Sequence, residues 1–240
     1  MNSWNYHPSP DIGTTLAQRV RNFPREPGML AYAIRSVAAL LLRGWMRVYH
    51  RLHIEGRENL PASGSFVLVC NHTSHLDTLC LLSAIDLRRI HHCFPAAAAD
   101  YFFTSLPRSA VSATLINALP FDRKAGGARS LALCSALLQE AGNILILFPE
   151  GTRTTSGSIG RFRSGIGRLA AGKDIDVLPC HLEGGMHAWP KGKLLPRPGR
   201  LRLRIGPARN FHHLDDSPDS VRAVCADLQR CVAELGGDSK

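Results

Sequence analysis

A chain of 240 residues with 45% apolar and 20% charged residues is long enough for one sizeable domain and short for two complete ones. Its seven cysteines are odd in number and form no Cys-x-x-Cys pair, and residues 1–28 contain no apolar core, so we expect reduced thiols and no secretory signal. Of the net charge of +10, residues 151–210 supply twelve Lys or Arg against three Asp or Glu. This asymmetry indicates a surface for something anionic, such as phospholipid headgroups, a phosphorylated substrate or nucleic acid.

The N-terminal quarter of the chain predicts a leader followed by a basic, apolar helix. Residues 1–28 have the composition of a flexible leader, and residues 29–56 form a helical segment in which Arg43, Arg47 and Arg51 recur every four residues. The apolar block before Arg43 is only fourteen residues long, whereas a single membrane crossing needs about 20. The segment is therefore expected to lie in the membrane interface or to pack on the domain core, and both alternatives stay open.

Residues 57–240 alternate between apolar runs typical of strands and patterns typical of helices. Predicted strands are SFVLVC, HHCFPAAA, NILIL, DIDVLPCHLEG and RLRLRIG, and predicted helices are SHLDTLCLLSAI, residues 130–140 and a last helix that Ser217 and Pro218 begin. This alternation predicts an α/β domain with a mostly parallel or mixed sheet flanked by helices. Polar residues at the carboxyl ends of such strands are where active sites collect.

The stretch NHTSHLD directly follows the first of these strands and contains His72 and Asp77. On an ideal helix, residues five apart point about 140° away from each other, so the two side chains can meet only if His72 lies in the turn and Asp77 in the first helical turn. In that arrangement the carboxylate orients the imidazole, which acts as a general base. A metal site that includes His75 is the alternative, but the spacing does not match a dense ligand motif, and no metal is expected.

Two further motifs lie downstream. The segment FPEGTR offers backbone amides at Gly151, a hydroxyl at Thr152 and a guanidinium at Arg153, which together suit a phosphate or another oxyanion. The tripeptide FDR ends at Arg123, and taken alone it favours a surface salt bridge.

The order of these motifs, with His-x4-Asp after a strand, then FDR, FPEGTR and the strand VLPCHLEGG, resembles the glycerolipid acyltransferase family of PlsC type over roughly residues 50–210. The resemblance implies a membrane-associated O-acyltransferase that uses no cofactor and accepts acyl-CoA or acyl carrier protein as the donor. It implies that His72 deprotonates the acceptor hydroxyl and that Asp77 orients the imidazole of His72. Arg123, Glu150, Gly151, Thr152 and Arg153 would hold the phosphate side of a lysophospholipid-type acceptor, with 1-acylglycerol 3-phosphate as the first choice. The implied location is the cytoplasmic face of a membrane, as a peripheral or monotopic protein.

One departure from the family pattern concerns a lysine that members commonly carry, because this chain has alanines within residues 96–103 where it would fall. The acceptor therefore stays open, and a non-glycerol lyso-lipid is an alternative. A thioesterase or lipid hydrolase with the same His and Asp is a second, although no Gly-x-Ser-x-Gly elbow is present. A non-catalytic basic membrane-binding module is a third. The surface of a phospholipid membrane is an expected partner. Nucleic acid is not expected, because no nucleic-acid-binding fold is recognisable in the sequence.

Overall fold

The computed structural model describes residues 29–98, 116–121, 128–154, 156–190, 192–193 and 195–237. The helices within these ranges are α1 (Met29–Val48), α2 (Leu76–Ala84), α3 (Ala128–Gln139), α4 (Ser164–Ala170), α5 (Gly185–Ala188) and α6 (Pro218–Leu235). The strands are β1 (His53–Glu55), β2 (Phe66–Cys70), β3 (Cys93–Ala98), β4 (Leu119–Phe121), β5 (Ile144–Leu147), β6 (Asp176–Glu183) and β7 (Arg202–Ile205). Two 3₁₀-helices cover Arg57–Asn59 and Leu87–His92. The predicted leader and Arg123 lie outside the described residues.

Across the described residues the strands form one seven-stranded sheet in the order β1-β7-β6-β2-β5-β3-β4. Neighbouring strands run parallel except β6 and β7, which are antiparallel. The central strand β2 is buried at every position, because its uninterrupted apolar run suits a strand that is covered on both faces. The predicted mostly parallel or mixed sheet flanked by helices is confirmed.

Side chains of β2 alternate between two apolar cores. Phe66 and Leu68 point into a core that is shared with α1 and α2. Val67 and Val69 point into the opposite core, which contains residues of α3, α4 and α6. This period of two places helices on both sides of the sheet and leaves its carboxyl edge open for polar loops.

Helix α1 packs on the domain along one face and exposes apolar side chains on the other. Arg35, Ala39 and Met46 are buried, whereas Leu30 is 75% exposed and Leu41 70% exposed. Its 20 residues span about 30 Å. With a mean hydropathy of 1.2, α1 is long and apolar enough to cross a membrane by length and composition alone. The fourteen-residue apolar block before Arg43 is only part of this helix, which continues past Arg43 to Val48.

The sequence also misplaced the start of the α/β unit. Residues 53–55, assigned to the N-terminal helical segment, form β1 and pair in parallel with β7. The strand is only three residues long, and its partner lies about 150 residues further along the chain, so no local pattern indicates it. The segment RLRLRIG contains β7, in which Arg202 and Arg204 alternate with buried Leu203 and Ile205, whereas Arg200 precedes the strand.

Candidate active site

The predicted site residues follow two neighbouring parallel strands, β2 and β5, at the edge where both strands end. Val69 is in register with Leu147, so the loops that begin after these strands lie side by side. The amide of Thr154 donates to the carbonyl of His72 at 2.8 Å and fastens one loop to the other. The sheet register therefore brings together two motifs that are about 80 residues apart in sequence.

His72 and Asp77 form the contact that the sequence predicted. Nδ1 of His72 lies 2.8 Å from Oδ2 of Asp77, which is the second residue of α2. The carboxylate is fully buried, while the His72 side chain is 21% exposed. Because an ionised carboxylate only accepts, Nδ1 carries the proton and the lone pair of Nε2 is available to a substrate. The imidazole also stacks on Phe148, with ring centroids 4.1 Å apart.

Backbone amides hold the Asp77 carboxylate in place. Its Oδ2 accepts hydrogen bonds from the amides of Thr73 at 2.7 Å and Ser74 at 2.9 Å, in addition to the bond with His72. The turn before α2 thus folds around the carboxylate, which also lies in the first turn of the helix, where negative charge is favoured. Asp77 orients the histidine and at the same time closes the turn that carries it.

Glu150 supports His72 from the opposite side. Its buried carboxylate accepts from the His72 amide at 2.7 Å and from the Gly160 amide at 2.8 Å. Burial raises the pKa of Glu150, and the two amide bonds oppose that rise. These contacts place Glu150 in the wall of the site, where its oxygens bind the protein's own backbone.

The rest of the FPEGTR loop offers polar groups beside the histidine. Gly151 has a φ of 72°, a conformation that favours glycine, and Thr152 is exposed. The amide of Gly151, which the sequence assigned to an oxyanion, instead donates to the carbonyl of Phe148 at 3.0 Å and closes the turn. A guanidinium nitrogen of Arg153 contacts Nε2 of His75. Burial and the adjacent Arg153 cation lower the pKa of His75 to about 4, so its imidazole is neutral near pH 7 and accepts an N–H from Arg153.

The contact with Arg153 also bears on the metal alternative. One ring nitrogen of His75, Nε2, faces a guanidinium. None of the described segments contains a group of three or more His, Cys, Asp or Glu placed to hold a metal ion. The sequence assigned His75 to the helix face near the site, and the structure places it at the N-cap of α2.

Two supporting residues were not identified from the sequence. The side chain of Asn71 bonds to Leu182 of β6 in both directions, donating to its carbonyl at 3.0 Å and accepting from its amide at 2.8 Å. Gly185 lies so close to Asp77 that a Cβ there would be 2.9 Å from Oδ1. Both contacts span more than 100 residues, and the second Gly of the VLPCHLEGG segment was the only local signal.

Comparisons with known proteins place these features in a family. The family model described as acyltransferase matches residues 51–183. The 1-acyl-sn-glycerol-3-phosphate acyltransferase of Bacillus subtilis (strain 168) is 31% identical over 199 residues, which cover 82% of this chain and 90% of the relative. The chloroplastic 1-acyl-sn-glycerol-3-phosphate acyltransferase LPAT1 of Arabidopsis thaliana is 28% identical over 78% of this chain, and the chain spans about half the length of that relative (49%).

A solved structure shows the same fold. The crystal structure of the 1-acyl-sn-glycerophosphate (LPA) acyltransferase PlsC from Thermotoga maritima matches with a TM-score of 0.63 and 23% identity, over 85% of this chain and 79% of the other. The family model, the Bacillus relative and this fold agree with the motifs that carry the resemblance. The chain therefore belongs to the glycerolipid acyltransferase family of PlsC type, and it is an acyltransferase.

Proposed function

We propose that the protein transfers a fatty acyl group from acyl-CoA or acyl carrier protein to the hydroxyl of a lysophospholipid-type acceptor, with 1-acylglycerol 3-phosphate as that acceptor. The observation that carries the proposal is the 2.8 Å contact between His72 Nδ1 and Asp77 Oδ2 at the carboxyl edge of the sheet. The acceptor is the one named for the Bacillus and Arabidopsis relatives.

The reaction is a direct transfer between two substrates. Nε2 of His72 takes the proton of the acceptor hydroxyl while the hydroxyl oxygen forms a bond to the thioester carbonyl carbon. The tetrahedral intermediate then expels the thiolate by breaking the C–S bond, and the imidazolium returns the proton to the sulfur. Asp77 stabilises the transient imidazolium, and the thiolate is already a good leaving group, so positioning the base and two substrates supplies most of the catalysis.

The phosphate of the acceptor is assigned to the FPEGTR loop. Arg153 brings a guanidinium charge to this loop, and the exposed Thr152 adds a hydroxyl. Gly151 contributes the turn conformation, with a φ of 72°. Glu150 shapes this pocket through its amide bonds. Arg123 is assigned to the same phosphate by family resemblance.

The membrane supplies the lipid substrate. The exposed apolar face of α1, which includes Leu30 and Leu41, suits insertion among lipid acyl chains, while the buried face with Met46 keeps the helix attached to the domain. We assign the protein to the cytoplasmic face of a membrane as a peripheral or monotopic enzyme. No nucleic acid has a part in this function.

The test is acyl transfer by membranes that contain the protein, with radiolabelled acyl-CoA and a panel of lyso-lipids that includes acceptors without phosphate and without glycerol. Label is expected in the product of 1-acylglycerol 3-phosphate. His72→Ala should abolish labelling, whereas His212→Ala, which changes an exposed histidine after β7, should not alter it.

Other results would replace the proposal by one of its alternatives. Label in an acylated non-glycerol lipid would change the acceptor, and label in free fatty acid without any acceptor would identify a thioesterase. Full turnover by a folded His72→Ala variant would overturn the mechanism. Absence of label from every acceptor and from free fatty acid would favour the non-catalytic basic module.

A further inference from the structure

A loop between α5 and β7 combines one apolar tip with several cations. Leu195 is 74% exposed, and Lys193, Arg197 and Arg200 around it are also exposed. We call these four residues the basic loop. The sequence contains no Asp or Glu from residue 184 to 214, and in the described part of the chain no carboxylate lies within ion-pair distance of the three cations.

The basic loop lies beside the carboxyl end of α1. The hydroxyl of Tyr49 donates to the carbonyl of Pro196 at 3.3 Å, and the amide of Leu201 donates to the carbonyl of His50 at 3.1 Å. Val48, the last residue of α1, is 79% exposed. Among the described residues, every other strongly exposed large apolar side chain belongs to residues 29–49. Leu195 precedes Pro196, the residue that the Tyr49 hydroxyl contacts, so it lies near the carboxyl end of this apolar segment.

The same loop is joined to the wall of the active site. The indole N–H of Trp189 donates to the carbonyl of Lys193 at 2.8 Å, and the Trp189 carbonyl accepts from the hydroxyl of Ser74. The Trp189 ring lies 5.3 Å from the ring of His75, which contacts Arg153. A surface that binds the basic loop would therefore lie next to Arg153, the residue to which the acceptor phosphate is assigned.

From these contacts we infer that the basic loop is a second membrane-contacting element, which rests on anionic phospholipid headgroups beside α1. Leu195 enters the interface, and the three cations lie among the headgroup phosphates. The inference rests on the proposed membrane association of α1 and adds a lipid preference to it. A bilayer is favoured over nucleic acid because the exposed Leu195 lies among these cations in the sequence and close to the end of α1, whose exposed face is apolar.

The test is flotation of the purified full chain with phosphatidylcholine vesicles, with and without phosphatidylglycerol, at low and high salt. Each loop cation is expected to contribute roughly fivefold to partition onto anionic vesicles. Arg197→Gln with Arg200→Gln should therefore lower that partition by about 25-fold and leave partition onto neutral vesicles unchanged. Leu195→Ser should lower partition onto both vesicle types about tenfold, the scale of removing one leucine from the interface.

The matched control is Arg168→Gln, which removes an exposed cation from α4 on the opposite side of the sheet and should change partition less than twofold. Thermal unfolding checks that each variant folds. If the double arginine variant binds anionic vesicles as the parent does, or if Arg168→Gln loses as much per charge, the basic loop is not the contact. DNA retention is measured for the same variants. Loss of DNA retention by the double arginine variant without loss of its vesicle binding would also overturn the inference. If the parent binds no vesicles, the proposed membrane association itself fails.

Discussion

Replacing Asp77 by asparagine isolates the charge of the orienting carboxylate. Because the amides of Thr73 and Ser74 both donate to Oδ2, the asparagine must place its oxygen there, since its NH₂ group would face two donors. The same oxygen then accepts from Nδ1 of His72, so the tautomer that leaves Nε2 free is kept. The variant therefore loses the negative charge and little of the geometry.

The size of the effect follows from the distance between the charges. Opposite unit charges 2.8 Å apart attract by about 1.5 kcal/mol at the dielectric constant of water and by about 6 kcal/mol at an effective constant of 20. Asp77 is fully buried and His72 is 21% exposed, which places the loss between these limits. A loss of about 3 to 4 kcal/mol of transition-state stabilisation lowers turnover by two to three powers of ten.

The assay is the initial rate of thiol release from acyl-CoA with saturating acceptor, followed with a thiol-reactive chromophore. Asp77→Asn should unfold close to the parent temperature, whereas Asp77→Ala should be destabilised because two buried amides lose their acceptor, at about 1–3 kcal/mol each. Adding His72→Ala to Asp77→Asn should cost no more than His72→Ala alone. Turnover of Asp77→Asn within about threefold of the parent would refute the role of the charge.

Four further changes test other parts of the structure. Gly185→Ala should lower turnover because its Cβ would lie 2.9 Å from Asp77 Oδ1. The control, Gly165→Ala, makes only an ordinary 3.5 Å contact and should leave turnover unchanged. Equal turnover of the two variants would contradict the prediction. His75→Phe should raise the KM of a phosphorylated acceptor about tenfold, because it removes the hydrogen-bond partner of Arg153. His75→Gln should restore a hydrogen-bond acceptor for Arg153. A KM for His75→Phe equal to that of the parent would count against the contact. Burial lowers the pKa of His50 below its usual 6.5, and neither ring nitrogen has a hydrogen-bond partner among the described residues. Below pH 6.5 the unfolded chain therefore binds a proton at His50 more readily than the folded protein does. The free energy of unfolding is highest, as far as His50 is concerned, above pH 6.5 and falls as the pH drops below it. The slope of Tm against pH in that range should be smaller for His50→Phe, and parallel slopes would rule out His50 as its source. Dialysis against a chelator should leave turnover unchanged, since no group of three metal-ligating side chains occurs in the described segments; activity that zinc restores would revive the metal alternative.

The pairing of His72 with Asp77 was predictable because every step is local. A strand that ends in a polar turn, followed by a helix that starts within five residues, leaves one arrangement in which both side chains meet, and the structure has it. The last helix was predictable for the same reason, since Ser217 caps it by accepting from the amide of Ser220. Local capping and hydrophobic periodicity together give the α/β class.

Contacts that depend on strand register were not predictable from one sequence. His75 meets Arg153 only because β2 and β5 pair at Val69 and Leu147, and a shift of that register would separate the two loops. Gly185 approaches Asp77 only because β6 lies on the other side of β2. Each contact joins residues at least 78 positions apart, and no periodicity within one segment reports which strands become neighbours.

The two buried carboxylates divide the task of holding one histidine. Asp77 binds the ring of His72 and the amides that follow it, while Glu150 binds the amide of His72 itself. The ring and the backbone are thus fixed from different loops, so the base loses little freedom when substrate binds. The proposed direct transfer without a covalent enzyme intermediate depends on this fixation, because His72 would have to meet a hydroxyl and a thioester in one encounter. In the proposed mechanism, both carboxylates therefore act by holding the base in position.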